Sequence, residues 1–101
     1  MIYLKIHATG QRGNHRFVIA VCDKDLIGKT LKEKNIEIHV SEKFYKGDLK
    51  EENEVIEFIR DASNVNMLGK EAVNAGIEAG IITQEDIIMI AGVPHAQAVA
   101  F

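Results

Sequence analysis

The apolar residues of this chain change period near residue 50 and change back near residue 87, which restricts the fold more than any single motif does. Ile2, Leu4, Ile6 and Ala8 alternate with Tyr3, Lys5 and His7, the period-two signature of a half-buried strand. Arg16 to Cys22, "RFVIAVC", is apolar through its middle and rich in β-branched residues, as a strand buried on both faces would be. Ile36, Ile38 and Val40 alternate with Glu37 and His39. These three strands are expected to form a meander. Beyond Gly47, Asp48 and Glu51 have the spacing of a helix capping box. Val55, Ile56, Phe58, Ile59 and Ala62 then fall at helical spacing, with Glu51, Glu52, Glu54 and Glu57 on the other side.

A second helix is expected to be capped by Asn64 or Asn66, to run to about Ala79 and to end at Gly80. Ala72, Gly76 and Gly80 recur along it every fourth residue, a ridge almost without side chains. A helical glycine costs about 1 kcal/mol against alanine, so the ridge implies close backbone contact with a neighbour. Ile87 to Ala91 reads as a short strand. Pro94, with no N–H to give to a ladder, is assigned to a turn. From His95 onward, His95, Gln97, Val99 and Phe101 face one way and Ala96, Ala98 and Ala100 the other, leaving an alanine face for the helical ridge. The expected fold is α+β, a single domain over residues 1–101. It has about five strands in a mixed sheet and two consecutive helices packed mainly on one face.

Composition narrows the function classes. With 101 residues, 47% apolar and 27% charged, the chain has the make-up of one soluble domain. No stretch approaches the ~20 apolar residues of a membrane span. The N-terminal "MIYLKIHATG" lacks the features of a signal peptide, and Cys22 is the sole cysteine, so a cytoplasmic protein without an internal disulfide is expected. The net charge of −3 is unevenly spread. Residues 1–50 carry ten Lys/Arg against six Asp/Glu, and residues 51–101 carry two against nine. Such asymmetry fits a basic surface for nucleic acid, or simply helices with solvated glutamates.

The stretches "VCDKDLIGKT", "KFYKGDL", "NMLGKEAV" and "GVPHAQ" together resemble an archaeal family catalogued as a domain of unknown function, number 424, across nearly the full length. The resemblance implies an archaeal, cytosolic source and a loose association with translation genes. It brings no established activity and no assigned catalytic residues. Separately, "AGIEAGIITQEDIIMIAGVPH" is similar to a helix–strand–turn segment of the pyruvate kinase C-terminal domain, a likeness of fold only.

Two sets of candidate site residues follow from the side chains themselves. Arg12, His15, Arg16 and Lys29 sit on loops of the basic half and suit phosphate contacts, so RNA or a ribonucleoprotein is the leading partner and the chain is read as a non-enzymatic binding or accessory module. The rival reading takes Asp23, Asn66, Gly69, His95 and Gln97 as a cleft at a helix start and the Pro94–Gln97 turn. Such a cleft would bind a small anion or act as an enzyme with His95 as base. Neither reading requires a cofactor or membrane. The histidines lack metal-ligand spacing, so no metal site is expected; "GKT" at Gly28–Thr30 lacks the upstream glycine of a P-loop; and carboxylates flanking Cys22 disfavour a reactive thiolate.

Overall fold

A computed structural model describes residues 1–10 and 16–100. A six-stranded mixed sheet runs through the molecule in the order β5-β1-β2-β6-β8-β7. Its strands are β1 (Ile2–Thr9), β2 (Arg16–Asp23), β5 (Asp48–Lys50), β6 (Asn64–Leu68), β7 (Ile88–Ile90) and β8 (Val93–Val99). Only the central pair, β2 and β6, is parallel; the other neighbours are antiparallel. The α+β class and the mixed sheet are as the periodicity implies, with one strand more. The strand over residues 36–40 does not join a meander. β4 (Ile36–His39) pairs instead with β3 (Thr30–Glu33) in a separate two-stranded sheet.

Two cores lie on opposite faces of the large sheet. On the first face Ile2, Leu4, Ile19, Val21, Val65 and Met67 meet α2 (Glu52–Ile59) and α3 (Lys70–Glu78). Val55 and Ile59 of α2 are fully buried there, and burying such a side chain contributes about 1.5–3 kcal/mol. Both helices share this face, but they are not consecutive, because β6 lies between them. On the second face Ala20, Cys22 and Leu68 are covered by Leu31 and Val40 from the β3–β4 segment and by Tyr45. Tyr45 belongs to a short helix, α1 (Glu42–Tyr45), that Ser41 caps through a bond from the Phe44 N–H. No sequence pattern marks that helix, because four residues hold too little periodicity to show one.

Three further expectations are corrected. Asp48 lies in β5, opposite Leu4, and the residue capping α2 is Glu51, whose N–H donates to Oε1 of Glu54 at 3.2 Å. Asn64 and Asn66 belong to β6, and α3 starts after Gly69. Alternation along "NVNML" over five residues outweighs the capping preference of asparagine, since the position between β2 and β8 supplies a full ladder on both sides. Pro94 lies inside β8, buried and opposite Met89, rather than in a turn. Its carbonyl accepts from the Gly69 N–H at 2.9 Å, so its missing N–H falls on the β6 side just where β6 gives way to α3. The Gly69 carbonyl, the acceptor that N–H would have reached, takes the Val73 N–H instead. The turn itself is Ala91-Gly92, both with positive φ (50° and 79°), the type I′ geometry of a two-residue hairpin.

The small-residue ridge meets the sheet at Ala72 and Gly76 but not at Gly80, around which there is open space. Ala96 is 1% exposed in the same core as Ala72, Val73, Ala75 and Ala79, and Ala98 packs beside it. A methyl group at Gly76 would overlap Sδ of Met67, so α3 packs tightly on β6 at this glycine. Gly80 follows the helix with φ +77°, and the Gly80 and Ile81 N–H groups reach back to the carbonyls of Ile77 and Gly76, a Schellman end.

Candidate functional site

The rival cleft does not assemble. Asp23 and Gly69 meet where β2 and β6 end, on the helix side of the sheet. The Asp23 carboxylate accepts from the backbone N–H groups of Ala72 (2.8 Å) and Glu71 (3.1 Å). The chain thus fills the positive end of α3 with its own carboxylate, which is what an incoming anion would do. Burial holds the Asp23 carboxyl above its usual range, and the two N–H bonds offset that rise only in part. Gly69, with φ +107°, has no room for a side chain, because a methyl group there would overlap the Asp23 carboxyl. Beside this cap lies a shallow hollow of about 150 Å³ that brings Asp23 and Gly69 together with Pro94 of the expected cleft, beside Leu26, Lys70 and Val93, but not with Asn66, His95 or Gln97.

Asn66, His95 and Gln97 lie on the second face instead. Asn66 accepts the Tyr45 hydroxyl at 2.7 Å. Gln97, exposed and opposite Asn66, donates a long bond of 3.5 Å to Asn64. His95 stands between Leu68 and Ile88 in the strand registers, and partial burial lowers the pKa of its imidazole. The sheet therefore separates Asp23 and Gly69 from the other three. Sequence spacing hid this because parity along β8 fixes which side a residue faces relative to its own strand, not which face carries the helices.

His7, His39 and Cys22 have structural partners. Nε2 of His7 lies 2.7 Å from the Phe44 carbonyl, and the ring stacks on Phe44 with centroids 4.8 Å apart. Nδ1 of His39 pairs with Oγ1 of Thr30 at 3.1 Å. Cys22 is buried, and desolvation with the neighbouring Asp23 charge pushes its thiol up to about 12, the range of an inert core cysteine. Among the described residues, no three His, Cys, Asp or Glu side chains are grouped to hold a metal ion. No helix among them is long and apolar enough to cross a membrane.

A second hollow lies at the other end of the sheet. An open groove of about 860 Å³ is bordered by Ile6, Arg16, Phe17, Phe58, Asn64 and Val99. Ile6 and Phe17 continue the parity of the helix-facing core residues Leu4 and Ile19, but α2 ends at Ile59 and leaves them without cover. Phe17 is 53% exposed and Phe58 48%, so two aromatic rings border one hollow. Both were misread from sequence. Phe17 sits in an apolar run that implies burial, and Phe58 falls at the spacing of a core face. Only the place where α2 stops reveals them.

The basic set is divided as well. Arg16 borders the groove, whereas Lys29 follows the opposite end of β2, roughly 23 Å away at 3.3 Å per residue. Arg12 and His15 lie outside the described residues. The charge asymmetry between the two halves becomes an asymmetry between faces. Residues 24–47, which cover the second face, hold six lysines against four carboxylates, and residues 51–80, which include α2 and α3, hold seven carboxylates against two cations.

Comparison with known proteins gives a consistent result. The family described as Protein of unknown function (DUF424) matches residues 11–101. The crystal structure of an uncharacterized conserved protein from Methanopyrus kandleri is similar, at 34% identity and a TM-score of 0.81, over 99% of this chain and 94% of that one. A search of curated proteins returns no match.

Proposed function

The chain belongs to the family of proteins of unknown function DUF424, and we propose that it is a non-enzymatic binding module that holds single-stranded RNA in the groove between Phe17 and Phe58. The observation that carries this reading is the pair of half-exposed aromatic rings bordering one hollow, with Arg16 and Asn64 beside them. Stacking on an aromatic ring is sequence-tolerant and contributes about 1–3 kcal/mol per base. A guanidinium adds a phosphate contact or a second stacking plane, and a carboxamide offers a donor and an acceptor to a base edge. Asp61 also lines the groove and offsets Arg16 there, so the two rings rather than net charge carry the binding. The anion-binding alternative loses its site, because Asp23 already occupies the start of α3.

Fluorescence anisotropy with a labelled single-stranded RNA of about a dozen nucleotides, at about 50 and 200 mM salt, tests the proposal. Phe17→Ala is expected to weaken binding at least about five-fold, in keeping with the loss of one stacked base. Arg16→Ala is expected to reduce the salt slope by about one. Absence of binding at the lower salt, or equal affinity in Phe17→Ala, would overturn it. Co-sedimentation with ribosomes at the same two salt concentrations tests the association with translation.

A further inference from the structure

The two edges of the large sheet are built differently. β5, at one edge, carries Asp48 and Lys50 in a three-residue strand, the charged pattern that discourages pairing with another chain. β7, at the other, consists of Ile88, Met89 and Ile90, with no charge and no proline. Ile88 is 61% exposed and Met89 53%, although Ile90 is buried in the core with Leu31. So the β3–β4 layer covers the inner part of this edge and leaves its outer part open.

The register of β7 on β8 fixes which backbone groups point outward. Met89 faces Pro94, which has no N–H, so this cannot be the pair that exchanges hydrogen bonds. The exchanging pairs are Ile88 with His95 and Ile90 with Val93. The N–H and C=O of Met89 therefore point away from the sheet, and among the described residues nothing outside the ladder bonds to them.

We infer that β7 pairs antiparallel with β7 of a second copy of this chain, about a two-fold axis at Met89, to give a continuous twelve-stranded sheet. In that register the two Met89 residues exchange N–H···O=C bonds. Ile88 of each copy lies opposite Ile90 of the other on the second face, and the two Met89 side chains meet on the helix face. No like charges are opposed, because the paired segment is confined to Ile88–Ile90 of each copy, and Glu85 and Asp86 precede it in a separate turn. A segment that is self-complementary in hydrogen bonding, apolar on both sides and free of charge fits an identical strand better than a charged partner. The contact is short and well below the ~1,200 Å² of a stable interface, so the dimer is weak and concentration-dependent.

This inference is independent of the RNA groove, which lies at the other end of β8. Sedimentation velocity from about 10 µM to about 1 mM, a span chosen for a micromolar or weaker dissociation constant, is the test. A reversible monomer–dimer equilibrium is expected. Met89→Pro removes the outward N–H and Ile88→Lys places a charge on the edge; each is expected to weaken the dimer about ten-fold or more, the equivalent of one or two net hydrogen bonds. Leu49→Lys, on the opposite edge, is expected to leave it unchanged. If Met89→Pro fails to fold by circular dichroism, Ile88→Lys decides the matter, since its site is on the surface. A protein that stays monomeric throughout the range, or a dimer insensitive to Ile88→Lys, would overturn the inference.

Discussion

Removing the Asp23 carboxylate tests whether α3 depends on a cap supplied from another element. In Asp23→Ala, the Ala72 and Glu71 N–H groups lose their acceptor. The Glu71 bond is exposed, and water can replace it at little cost. The Ala72 bond is partly buried, and leaving such a donor unpaired costs about 1–3 kcal/mol. Loss of a helix cap costs about 0.5–2 kcal/mol in comparable cases, so about 2 kcal/mol is expected in total. At roughly 4–8 °C per kcal/mol for a domain near this size, the melting temperature should fall by about 8–16 °C. Asp23→Asn keeps one acceptor and loses the charge–dipole attraction of about 0.3–1 kcal/mol, so it should fall between wild type and Asp23→Ala.

The same variant vacates the start of α3. Sulfate should then stabilise Asp23→Ala more than it stabilises wild type, with chloride at equal ionic strength as the reference, because two N–H groups at a helix start now face solvent. The comparison between variants cancels the general stabilisation that sulfate gives any fold. Urea denaturation and thermal melts read both effects. A loss under about 0.5 kcal/mol, the range of an ordinary surface substitution, or equal sulfate stabilisation of the two proteins, would refute the reasoning.

Two other substitutions probe the packing and the pH response. Gly76→Ala should destabilise by up to about 2 kcal/mol, since overpacking against Met67 costs about 1–3 kcal/mol and the gain in helix propensity is about 1 kcal/mol; a higher urea midpoint would show that α3 is not held close to β6. Burial lowers the pKa of His95 below its ordinary 6.5, so folding favours the neutral ring; the stability this provides is complete above 6.5 and is lost as pH falls from there through the folded-state value. His95→Gln should therefore lose less stability than wild type between about pH 7.5 and pH 5.5, as read by urea midpoints, and parallel losses in the two proteins would count against a buried neutral imidazole.

Much of the fold was legible because the signals were local. Alternation in Ile2–Ala8, the helical spacing of Val55 and Ile59, the alanine face of β8 and the glycine at the end of α3 each depend on a few neighbouring residues. What misled were residues with two local meanings. Asn64 and Asn66 are good caps but also fit the alternation of β6, and Asp48 has capping spacing but lies in an edge strand. Pro94 is excluded from most ladder positions but not from the one whose donor would reach an occupied carbonyl.

The site was less legible for a related reason. Asp23 meets Ala72 across 49 residues, and Tyr45 meets Asn66 across 21; no spacing rule anticipates either pair. Phe17 and Phe58 became candidates only because α2 stops short of the far end of the β1–β2 hairpin.

The sequence by itself determined the elements, their amphipathic faces and the charge of each half, since these depend on backbone preference and on which side chains repeat at 2 or 3.6 residues. The tertiary structure alone decided that β6 separates the helices, that a carboxylate from β2 closes the start of α3, and that two phenylalanines border an open groove. Those outcomes depend on which distant surfaces pack together, and burial is a property of the pair rather than of either residue.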